Sequence, residues 1–192
     1  MKGLFKNNFL AVWTNAKIFL FFMLVMGIVV IIIPDQTWQM YFIIIGIVGL
    51  SVNAATAIGN EFSSKWGKYK LTLPVKRIDI VKGLYINQLL WIVIGTLFVG
   101  SITALSYLLH GVPFNQFEGI AGVLILGLSI SLSMGAIFIP SIYLAGEDKL
   151  IVFLIISLLS AVGIAAMLFN IPSFGPFILI SGSILLFILS FP

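Results

Sequence analysis

The residues best suited to chemistry lie in one stretch, Glu61 to Lys82, which reads EFSSKWGKYKLTLPVKRIDIVK. Six of the ten Lys and Arg residues fall there (Lys65, Lys68, Lys70, Lys76, Arg77 and Lys82), accompanied by the acids Glu61 and Asp79. Phe62, Trp66, Tyr69 and Leu73 are spaced i, i+4, i+7 and i+11, so a helix here carries one apolar, largely aromatic face beside Lys65, Lys68 and Lys70. Pro74 stops that helix, holds Leu73 extended, and restarts the chain at Val75-Lys76-Arg77. The chemistry open to such a pattern is recognition. A basic loop resting on anionic lipid gains roughly 1 kcal/mol per cation and accounts for the charge alone. Docking of an amphipathic helix into a protein groove accounts also for the aromatic face, the proline break and the two acids.

Bond-breaking chemistry finds few candidates. Zero cysteines exclude disulfides, thiol catalysis and cysteine-held metal. There is no HExxH zinc pair, and no acidic pair within one apolar run. His110 stands in a polar turn and reads as a surface histidine. Gly127-Leu128-Ser129-Ile130-Ser131 lacks the final glycine and the partner base of a serine nucleophile turn, so its serines read as helix-packing groups. A phosphate-binding GxxxxGK[ST] loop fails at both ends, because Phe62 replaces the first glycine ahead of Gly67-Lys68 and Tyr69 follows. The chain alone is not an enzyme, holds no cofactor or metal, and cannot hydrolyse ATP.

The elements around the stretch are nearly continuous hydrocarbon. Of 192 residues 61% are hydrophobic and 8% charged, with a mean hydropathy of +1.22, whereas soluble domains carry roughly 25% charged residues. An all-α polytopic membrane protein follows, forming a single domain over 1–192. Six spans are expected at 18–33, 40–58, 84–108, 120–143, 150–169 and 177–191. Over 4–15, Phe5, Phe9, Val12 and Trp13 form a stripe that suits a separate helix lying in the headgroup plane. Trp38 and Tyr41 suit an interfacial belt, and Gly46, Gly49, Ala54 and Ala55 suit close packing of the second span. Asn53 reads as an interhelical hydrogen bond, and Pro140 as a kink near the end of the fourth span.

The basic loop over 60–82 belongs in the cytoplasm by the positive-inside bias, as does the turn at 146–149, which leaves 34–37 and 110–118 external and both termini cytoplasmic. The net charge of +4 then belongs to the membrane surface and not to nucleic acid. MKGLFKNNF has no removable signal peptide pattern, and Phe191-Pro192 lacks a basic flank, so the native chain is expected to allow an extension. Between the span ends no Asp, Glu, Lys, Arg or His lies deep, which disfavours ion-coupled carriers.

On these residues the sequence resembles the ABC type-2 exporter permeases. In that family the loop between helices two and three runs from a glutamate, through a short coupling helix and a leucine-rich stretch, to a Pro-Val-x-Arg segment ending in lysine. Here those positions are Glu61, Leu71-Thr72-Leu73, Pro74-Val75-Lys76-Arg77 and Lys82. The resemblance covers most of the chain in architecture and about twenty residues in motif. Two features depart from it: the second acid after Glu61 is absent, and the turn from Asn170 to Pro176 is short.

The resemblance implies a bacterial cell-membrane permease subunit of an ATP-driven exporter, with a second permease, identical or not, as partner. ATP and Mg would be bound by a separate nucleotide-binding ATPase subunit. Glu61, Phe62, Trp66, Tyr69, Leu73, Pro74 and Arg77 would couple the two chains. Compact Gram-positive relatives imply an amphipathic or lipid-like cargo, with antimicrobial peptides and phenol-soluble modulins as examples. Two alternatives stand: the substrate-binding membrane subunit of a vitamin importer, disfavoured because 18–33 contains no alanine for an AxxxA docking motif, and a non-transporting immunity or assembly protein.

Overall fold

The computed structural model describes the backbone at 2–33, 35–63, 77–110, 117–145, 149–169 and 175–191, and side chains at 6–33, 35–59, 78–110, 119–144, 149–169 and 175–191. Among the described residues there are six helices and no strand: α1 (Lys2–Ile32), α2 (Gln36–Ser63), α3 (Arg77–His110), α4 (Phe117–Ala145), α5 (Leu150–Phe169) and α6 (Gly175–Ser190). Five contain stretches long and apolar enough to cross a membrane: Lys6–Ile32, Gln36–Gly59, Ile78–His110, Gly119–Leu144 and Leu150–Phe169. The sixth, α6, is apolar but has 16 residues, about 24 Å of helix set against a hydrocarbon core of about 30 Å. The chain is an integral membrane protein, with five helices of spanning length and one shorter apolar helix among the described residues.

α1 differs from its expected form. One unbroken helix covers both the segment assigned to the headgroup plane (4–15) and the span beginning at 18. Packing explains the continuity, because Val12 and Ala16 are fully buried in a cluster with Leu50, Ala54 and Ala57 of α2 and Trp91 of α3. Phe9 stacks on Trp91 with ring centroids 5.2 Å apart, and Trp13 lies 6.3 Å from the same ring. Phe9 and Val12 of the N-terminal apolar stripe therefore pack against the bundle, and Trp13 lies half-exposed at its edge.

α2 and α4 form the interior. About three-fifths of the α2 span and two-thirds of the α4 span are buried (61% and 67%), against 22% for α1 and 17% for α5. α2 packs on α1, α3, α4 and α5, while α4 packs on α2, α3, α5 and α6. Small residues permit this crowding: a Cβ at Gly49 would overlap the Phe19 ring of α1, and one at Gly46 the Val99 side chain of α3. α4 continues as helix through Pro140.

The segment assigned to the loop also differs at its edges. α2 runs on to Ser63 and α3 starts at Arg77. Asp79 sits in the first turn of α3, where a carboxylate opposes the positive end of the helix dipole. Buried Ile80 and Leu84 then give that early part of α3 an inward stripe.

Candidate functional site

The residues proposed for recognition surround the α2–α3 connection. Glu61 and Phe62 belong to the last turn of α2, and Arg77 opens α3. Trp66, Tyr69, Leu73 and Pro74 lie at 64–76, outside the described residues, as do the side chains of Glu61, Phe62 and Arg77. The structure does describe the mount that carries this connection. α2 and α3 pack side by side, and at this end of the bundle a Cβ on Gly59 would overlap Leu150, the first residue of α5. The start of α5 is thereby pressed against the end of α2.

Beneath the connection, four helices are joined through two residues of α3 that are one turn apart. Tyr85 is buried, and its hydroxyl donates to the Ser190 carbonyl of α6 at 2.7 Å. Its ring meets Phe187 and Phe191 edge-on, with centroids 5.2 and 5.4 Å apart. Gln88 is fully buried; its Nε2 donates to the Ser51 hydroxyl of α2 at 2.6 Å. α4 passes at Gly135, where a Cβ would lie 3.2 Å from Gln88 Cγ and 3.4 Å from the Phe187 ring. One turn away from Phe187 the Ser133 hydroxyl of α4 donates to that of Ser183 in α6 at 3.1 Å.

Several buried polar atoms near this junction have no hydrogen-bond partner in the structure: Gln88 Oε1, Asn87 Nδ2, Trp91 Nε1, and the hydroxyls of Ser129 and Ser131. Helix register puts Ser131 at the level of Ser51. Gly127, one turn before Ser131, faces Ile47, one turn before Ser51. A buried unsatisfied group costs about 1–3 kcal/mol, so this layer is held below its full bonding capacity. At the opposite end one chain of bonds joins three helices: Gln39 Nε2 of α2 donates to Ser106 Oγ of α3 at 3.3 Å, and Ser106 Oγ donates to the Val30 carbonyl of α1 at 3.2 Å, while the hydroxyl of the adjacent Tyr107 is buried without a partner.

Asn53 departs from its sequence reading. Its Nδ2 donates to Gly49 O of its own helix at 2.8 Å instead of bridging helices. Gln39 and Gln88 are amides that do bridge helices, and neither they nor Tyr85 were singled out by sequence reasoning. The adjacent amides Asn87-Gln88 inside an apolar run were the available signal, because polar side chains within a span commonly join helices. The serine of α4 that bonds across helices is Ser133, two residues after Ser131, while the hydroxyls of Ser129 and Ser131 have no partner. The His110 ring is exposed, with Nδ1 2.9 Å from Ser106 O.

No group of three His, Cys, Asp or Glu that could hold a metal occurs among the described residues. What the arrangement can do is mechanical: a force applied at the α2–α3 connection reaches α6 through Tyr85, α2 through Gln88, and α4 through the groove at Gly135.

The family model described as ABC-2 family transporter protein matches residues 3–192. No curated protein and no solved structure matches the chain. The family match spans almost every residue, and the chain belongs to the ABC-2 transporters as a membrane permease subunit, the kind of subunit whose ATPase is a separate chain.

Proposed function

We propose that this chain is the permease of an ATP-driven exporter of amphipathic cargo, peptides among them, and that the segment from Glu61 to Arg77 is the seat of the ATPase. Two permeases, identical or paired with a relative, enclose the path, and two ATPase subunits dock on the cytoplasmic loops. ATP-driven closure of the ATPases displaces the loops and shifts each bundle between two states, as a ligand does when it favours one of them. Both termini and the loop face the cytoplasm, with α6 crossing as a short sixth span. The observation that carries this reading is the basic and aromatic segment mounted on α2 and α3, within a chain that matches an ABC-2 family along its length. The vitamin-importer alternative gains nothing from the longer α1, whose alanines Ala11 and Ala16 are five residues apart and do not form AxxxA.

The docking and lipid-surface readings differ in which residues matter. Co-expression of the tagged permease with the ATPase of the neighbouring reading frame, followed by purification in detergent, separates them. Trp66→Ala or Leu73→Ala should weaken association by about 2 kcal/mol or more, as central interface anchors do. The double change of Lys68 and Lys70 to Gln should cost less, because exposed charges contribute roughly 0–1 kcal/mol each. Full retention of ATPase by both apolar variants would remove the docking assignment.

A further inference from the structure

α3 and α6 are joined by side chains of α3 that reach across to α6, without backbone packing against backbone. Among the described residues no Cα of one comes within 8 Å of a Cα of the other. Tyr85 crosses that gap. Its hydroxyl donates to Ser190 O, one of the last carbonyls of α6, which have no partner inside their own helix. Its ring is held edge-on between Phe187 and Phe191, at interplanar angles of 77° and 70°. Lys82, one turn earlier on α3, places Nζ 6.0 Å from the centre of the Phe191 ring. Phe191 is itself fixed by its backbone N–H, which donates to Ile188 O at 3.1 Å.

We infer that Tyr85 is a positioning residue that makes the end of α6 follow α3, so that α6 responds to the nucleotide state of the ATPase. The inference builds on the reading of the segment from Glu61 to Arg77 as the ATPase seat. Tyr85 stands eight residues after Arg77, about 12 Å along the helix axis from the point where α3 leaves that segment. α6 has a second tether seven residues back, where Ser183 accepts from Ser133 of α4. A displacement of α3 relative to α4 therefore pulls the two tethers in different directions and tilts α6. Simple packing would not need the hydroxyl, because Phe at position 85 would keep both ring contacts.

The absence of cysteine allows spin labels to be placed at exposed positions by single substitutions. One pair, Ile86 on α3 with Leu189 on α6, reports the joint; a second, Leu144 on α4 with Leu189, reports tilting of α6. These positions are 37%, 74% and 88% exposed for 86, 189 and 144. The permease–ATPase complex in lipid nanodiscs is measured by pulsed electron resonance without nucleotide and with Mg-ATP and vanadate. In the native background the 86–189 distance should be narrow and unchanged by nucleotide, while the 144–189 distance shifts. Tyr85→Leu should make 86–189 nucleotide-dependent and reduce the shifted 144–189 population, about fivefold for the hydrogen bond alone.

Tyr85→Phe should give a smaller change in the same direction, and it serves as the test if the leucine variant does not fold. A purely structural role for Tyr85 would broaden 86–189 equally in both nucleotide states, which overturns the inference. So does a native 144–189 distance that ignores nucleotide, or a Tyr85→Phe variant identical to the native protein. Loss of the underlying docking assignment shows itself earlier and separately, as a native permease that retains no ATPase at purification, and it removes this inference as well.

Discussion

Two glutamines each reach from one helix to a serine on its neighbour, but on unequal terms. Gln39, at the end of the bundle away from the basic segment, enters a chain of bonds that runs through Ser106 to the Val30 carbonyl and ties three helices together. Gln88, near the basic segment, makes a shorter bond to Ser51, yet its Oε1 has no partner, and Ser131 in the same layer has none either. The far end thus closes a three-helix chain and leaves one orphaned group, the Tyr107 hydroxyl, whereas the layer below the loop leaves several. In a membrane interior, where water cannot repair an orphaned group, the under-bonded layer is the one whose rearrangement loses least. The drive from the loop side proposed above would enter where the hydrogen bonds are least committed.

This contrast can be broken by mutation, with stability measured by denaturant or thermal unfolding in mixed micelles. The largest effect is expected at Gly135, where Leu would collide with both Gln88 and Phe187. Overpacking of that kind costs about 1–3 kcal/mol, and a cost under about 0.5 kcal/mol would show that the layer is loosely packed.

Next comes the direct comparison of the two amides. Gln39→Leu removes a bond from a completed chain and should cost about 1 kcal/mol. Gln88→Leu loses the Ser51 bond but also removes an orphaned acceptor, and should fall within about 0.5 kcal/mol of the native protein. Reversal of that order would mean that Gln88 is the stronger lock.

The smallest effect sharpens the same point. Ser131→Ala removes a buried hydroxyl without a partner and should be neutral or stabilising by a few tenths of a kcal/mol. Destabilisation by more than about 1 kcal/mol would show that the hydroxyl is bonded in the membrane.

Much of this protein was legible without its structure. A chain with 8% charge and apolar runs of span length has nowhere to bury its backbone polar groups in a membrane except within helices, so helical class and membrane residence follow from local composition. The concentration of cations and aromatics between Glu61 and Lys82 likewise singled out the segment proposed here for recognition, because spacing along one helix is a local property. The Phe9–Val12–Trp13 stripe was legible as a stripe, but not in what it faces. Periodicity shows that a helix has an apolar side, and the same side could meet lipid headgroups or Trp91.

Polar pairing was decided only by tertiary structure. Asn53 and Gln88 are both amides in apolar runs, yet the first bonds four residues back along its own helix and the second reaches a serine 37 residues away. Tyr85 finds its acceptor 105 residues further along the chain, on a helix with no Cα within 8 Å of a Cα of α3 among the described residues. Hydrophobicity determines that a residue is inside, through the local free energy of transfer. Which donor meets which acceptor depends on helix register and crossing, and those are settled by the packing of all the helices together.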